Sequence, residues 1–120
     1  MEKHELTQIA ADQLEAAKAS PDGLSSQLLV GDDEGSIQQT VVALTEGNIV
    51  GARESTEHTT IQVLSGEVRV RSTEGSESAT EGELVEIPTD PHVISAKQDS
   101  TVLLTESKSD SGGWDPQTRR

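Results

Sequence analysis

Two stretches decide the fold: Thr60–Val70, which reads TIQVLSGEVRV, and Gly82–His92, which reads GELVEIPTDPH. In the first, Val68 and Val70 alternate with Glu67, Arg69 and Arg71, so the apolar pair faces one way and the charged residues the other. A period of two marks a strand with one wet face. Ser65 and Gly66 interrupt the run, and the sequence predicts a hairpin there, closed at Gly66 because glycine takes the required backbone angles without steric cost. In the second stretch, Gly82 opens a strand carrying Leu84, Val85 and Ile87, and the segment Pro88–Pro91 ends it.

Working outward, the same texture continues on both sides. Candidate strands are Gln27–Val30, Ile37–Leu44, Ile49–Arg53, Thr59–Leu64, Glu67–Ser72, Glu83–Ile87, His92–Ala96 and Thr101–Thr105, parted by turn residues such as Gly31–Gly35, Glu46–Asn48 and Glu74–Ser76. About eight short strands at close spacing predict an all-β sandwich or barrel, not a fold of alternating strands and helices. The run Thr101–Thr105 does not alternate and reads as buried on both faces. Ahead of the strands, Leu6, Ile9, Ala10 and Leu14 recur at spacings of three and four, which gathers them on one face of a short helix that Pro21 and Gly23 terminate. The expected organisation is a helix and linker over 1–24, a single β-domain over 25–107 and a polar, glycine-containing tail over 108–120 that holds Trp114, the only aromatic residue.

Composition narrows the function. Twenty-two acidic residues against nine basic ones give a formal charge of −13, which repels phosphate backbones, so no nucleic-acid partner is expected. An acidic surface of this kind suits a high-salt interior or an ordinary acidic cytoplasmic protein equally well. Without cysteine there are no disulfides, thiolate metal sites or thiol nucleophiles. The N-terminus lacks a basic start followed by an apolar run, and no stretch approaches ~18 consecutive apolar residues, so the expectation is a soluble cytoplasmic protein with no membrane partner. No Gly-x-Ser-x-Gly elbow, phosphate loop or dinucleotide fingerprint is present.

Over roughly Ile37–Ser107 the chain resembles the small single-domain cupins. Their first motif places two glycines around a histidine pair and a glutamate. Here the frame reads Gly47, five residues, Arg53, Glu54, Ser55, three residues, Thr59, six residues, Gly66, so both glycines keep the register. The second motif is met by Gly82 and Pro88, while His92 arrives one position early, in a turn shortened by one residue. The resemblance implies a cupin-type jelly-roll β-barrel with a short N-terminal helix. It also implies pairing into a homodimer, since cupins commonly associate through barrel edges, and an uncovered edge invites aggregation.

In the family, the H-x-H and glutamate positions of the first motif and the histidine of the second hold a divalent metal. In this chain they carry Arg53, Ser55, Thr59 and His92. A guanidinium is a fixed cation that cannot coordinate a metal, so the usual site is expected to be absent and no cofactor is implied. These four residues are instead the candidate ligand-binding set. An arginine inside an aliphatic barrel needs a partner, either an internal carboxylate such as Glu57 or the anionic group of a small ligand, for which its planar fork is well shaped. The alternative is a metal-dependent cupin enzyme, an oxygenase, isomerase or decarboxylase, with a non-standard ligand set of Glu54, His58 and His92. It requires a bulge, because simple alternation turns His58 away from the interior.

Overall fold

A computed structural model describes residues 1–31, 37–50, 58–87 and 92–107. One helix, α1 (Leu6–Ala19), precedes nine strands: β1 (Leu24–Val30), β2 (Ile37–Leu44), β3 (Ile49–Val50), β4 (His58–Ser65), β5 (Glu67–Ser72), β6 (Gly75–Thr80), β7 (Leu84–Ile87), β8 (His92–Ala96) and β9 (Ser100–Ser107). They form a five-stranded sheet in the order β1-β2-β9-β4-β7 and a four-stranded sheet in the order β3-β8-β5-β6, with every pairing antiparallel. Stacked face to face, the two sheets make the jelly-roll barrel that the resemblance implies. No helix among the described residues is long and apolar enough to cross a membrane.

Between the sheets lies an aliphatic core. Ile61 and Val63 of β4, Val68 and Val70 of β5, Ala79 of β6, Ile87 of β7, Ile94 and Ala96 of β8, and Val102 and Leu104 of β9 all face inward. The alternation of β5 is as expected: Val68 and Val70 are buried and Arg71 is exposed. The outer face of the five-stranded sheet is covered separately, by α1. Ala10 and Ala17 are buried there, as are Val41 and Ala43 of β2, and Ser25 of β1 donates a hydrogen bond to Gln13. In β9, central between β2 and β4, Val102, Leu104 and Glu106 are buried towards the core and Leu103 and Thr105 are half-buried on the helix side, so the strand alternates in burial without a fully wet face.

Three expectations are corrected. Gly66 does not close a hairpin, because β4 and β5 belong to different sheets; the chain turns a corner there and crosses from one layer to the other. The corner is close-packed, with φ +86° at Gly66 and the Asp99 carbonyl 2.4 Å from where a Cβ would lie. The segment Gly75–Thr80 is a strand and not merely a turn. It escapes pattern reading because it is an edge strand whose only buried side chain is Ala79. Finally, β1 begins at Leu24, three residues earlier than expected. The Asp22 carboxylate accepts from the Ser20 hydroxyl and the Leu24 N–H, which start the strand and hold the carboxyl below its ordinary range.

Candidate functional site

Buried polar side chains divide the barrel into two ends. At one end lie Ser100 and Thr101, both fully buried beneath the Gly66 corner. The Ser100 hydroxyl accepts from the Glu67 N–H at 2.9 Å and reaches the Gln98 carbonyl at 2.7 Å, while the Ser65 and Thr101 hydroxyls lie 2.7 Å apart. Every one of these groups ties the corner to β9, so this end is structural.

At the other end lie Thr59, His92 and Glu106, which are 5%, 4% and 7% exposed. Thr59 shares the inward face of β4 with Ile61 and Val63, and its cross-strand neighbours are Glu106 on β9 and Ile87 on β7. Glu106 in turn lies opposite Gln38 of β2. His92 opens β8 on the same inward face as Ile94 and Ala96. The opposite end of β8, at Ala96, bonds back to Gly47 and Asn48 near the Gly66 corner, which fixes His92 at the far end with Thr59 and Glu106. Two of the four candidate ligand-binding residues are thus inward and buried at one end of the barrel. The other two, Arg53 and Ser55, lie outside the described residues, as do Glu54 and Glu57.

Towards β1 the interior opens into a cavity of about 560 Å³. Leu24, Leu28, Val42, Leu44, Val50, Ile94, Val102 and Leu104 give it apolar walls; Ser25, Ser26, Gln38 and Thr40 add neutral polar groups, and Asp22 and Glu106 add two carboxylates. Between β4, β7 and β9 on one sheet and β5, β6 and β8 on the other, side chains fill the space. Between β1 and β2 on one sheet and Val50 and Ile94 on the other lies the cavity. Glu106 therefore joins the two features, lining the cavity and flanking Thr59.

His58 is exposed, whereas its neighbour Thr59 is buried, so the two histidines His58 and His92 do not share the interior. Among the described residues no three histidine, aspartate or glutamate side chains come together in a cluster able to hold a metal ion. Glu106, Ser26, Gln38 and Thr40 were not among the expected site residues. The signal for Glu106 was the alternation Val102, Leu104, Glu106, which places it on the inward face two residues beyond the last apolar position.

No protein-family model matches the chain, and no curated protein matches it in sequence. Solved structures do share its architecture. A conserved protein of unknown function from Streptococcus pyogenes is 24% identical, with a TM-score of 0.68 over 77% of this chain and 80% of that one. An RmlC-like cupin protein from Desulfovibrio desulfuricans is 21% identical, with a TM-score of 0.68 over 89% of this chain and 96% of the other. A salicylate 1,2-dioxygenase from Pseudaminobacter salicylatoxidans is 15% identical, with a TM-score of 0.69 over 83% of this chain but only 33% of that longer one. At these identities the likeness is one of fold, and the fold is that of the cupin barrels, as the two glycine frames implied.

Proposed function

We propose that this cupin-type barrel is a non-catalytic binding module, whose cavity takes a small molecule bearing an anionic group. The cavity carries the reading: its volume of about 560 Å³ falls within the usual range of small-molecule sites, and eight apolar and six polar described residues line it. By the motif register, Arg53 supplies the partner for the anion, with Ser55, Thr59 and His92 around it. Glu106 then accepts from a hydroxyl or amide donor on the ligand. The metal-dependent alternative shares only a fold with the dioxygenase, and Arg53, Ser55 and Thr59 do not fit the usual donor set.

Thermal unfolding with salicylate and with neutral salicylamide tests the reading. The carboxylate is expected to raise the unfolding temperature of the wild type and leave Arg53→Ala unmoved, since a ligand at 100 times its Kd stabilises by ~2.7 kcal/mol. Equal stabilisation by the amide would remove the anionic part, and no stabilisation by either or by a wider set of small carboxylates would remove the binding reading. Metal analysis of the purified chain decides the alternative: stoichiometric divalent metal, lost in His92→Ala, would replace this proposal with the enzymatic one. The module is further proposed to act as a cytoplasmic homodimer, joined along the exposed β1 edge.

A further inference from the structure

The outer face of the four-stranded sheet has a character opposite to that of the chain. Pairing registers arrange it as a grid: Ser95, Arg69 and Ser78 lie side by side across β8, β5 and β6, with Val93, Arg71 and Ser76 in the next row. Lys97, whose N–H bonds to the Glu67 carbonyl, extends the grid at the other end beside Glu67. Three cations and one carboxylate therefore occupy a face of a protein whose formal charge is −13. Arg69, Arg71 and Lys97 make no ion pair with any described residue. At the centre, Arg69 is half-buried and its Nε is a buried donor with no hydrogen-bond partner among the described residues. The nearby carboxylate of β6, Glu77, lies opposite Val70 and so belongs to the other face.

We propose that this face docks an acidic segment of a partner protein, an extended stretch with carboxylates at alternate residues. Arg69 and Arg71 stand two residues apart on one strand, about 7 Å, which is also the repeat between same-side residues of an extended peptide. Two adjacent carboxylates of such a segment meet two guanidiniums in register, and the hydroxyls of Ser76 and Ser78 donate to their remaining lone pairs, while the Ser95 hydroxyl donates to the Arg69 carbonyl. The exposed Ile49, opposite Ser95 on β3, adds apolar area that a free inorganic anion has no use for. A second copy is the poorer occupant, because a two-fold pairing of this face sets like charges against each other in a chain already at −13. The inference is independent of the cavity and of what it holds.

The probe is a decapeptide of alternating glutamate and serine, titrated into the isotope-labelled full chain while backbone amide shifts are followed. Saturable shifts are expected at Arg69, Arg71, Ser78 and Ser95, weakening steeply with added salt. Affinity should fall at least about tenfold in Arg69→Gln/Arg71→Gln. The exposed Arg71→Gln alone serves if the double variant loses its dispersed spectrum. Shifts centred elsewhere, or a variant that binds as tightly as the wild type, would overturn the proposal. So would saturation of the same amides by sulfate alone, which would mark a free-anion site. Concentration-dependent shifts of these amides without peptide would instead assign the face to a second copy.

Discussion

Gly66 couples a backbone requirement to a packing requirement. Its left-handed φ disfavours any side chain, and the space where a Cβ would sit is taken by the backbone of Asp99 and Ser100. Gly66→Ala is expected to cost about 2–4 kcal/mol, because strain of ~1–3 kcal/mol at positive φ is joined by a clash with main chain. Gly82 has the same φ, +87°, with nothing within 4 Å of the Cβ position, so Gly82→Ala should cost only ~1 kcal/mol. Urea unfolding of the two variants checks the contrast, and equal losses would contradict the packing argument. Both glycines were legible in the sequence as motif positions, but the reason for Gly66 was not. A hairpin and a corner between layers ask for the same residue, and only tertiary placement separates them. Legibility at the site divides in a similar way. Thr59 and His92 were found through the glycine frames, and their burial agrees with that register. Glu106 and Ser100 were not, because a polar residue at the end of a strand reads as solvent-facing until the opposite sheet and neighbouring strands are known.

At the scale of elements, α1 decides how much of the five-stranded sheet is dry. It meets the sheet through Ala10 and Ala17, small residues that bring the helix close over Val41 and Ala43. Ala17 is fully buried, so Ala17→Leu forces extra volume into a closed contact and should cost about 1–3 kcal/mol. Far-ultraviolet dichroism should still show the barrel, and the urea midpoint should fall; an unchanged midpoint would mean that the helix does not hold the sheet tightly. The helix itself was legible from the spacing of Leu6, Ile9, Ala10 and Leu14, yet its surface was not, since an apolar stripe says that something is covered without saying what. The opposite case is β6. Its sequence GSESAT has almost no apolar content, and it is a strand because β5 offers it an edge to pair with.

At the scale of the whole molecule, β1 leaves one edge of the five-stranded sheet unpaired among the described residues. Leu28, Val30 and Ile37 stand 49%, 41% and 49% exposed close to that edge. Such an edge is a pairing template, and an apolar one more so. Sedimentation of the wild type is expected to give twice the chain mass, and Leu28→Glu/Val30→Glu to give a single chain; a monomeric wild type would remove the proposed dimer. The barrel as a whole was legible because its evidence is distributed over many short alternating runs, so a missed strand or a misread turn leaves the architecture standing. The uneven filling of that barrel has a kinetic side. Its packed half, built on β4, β5 and β9, opens only when much of the core is lost. The cavity lies against β1, the unpaired edge of its sheet among the described residues, so amide exchange in β1 is expected to be faster than in β4, β5 and β9. A ligand of the kind proposed above would be held against this less filled side and would slow that exchange.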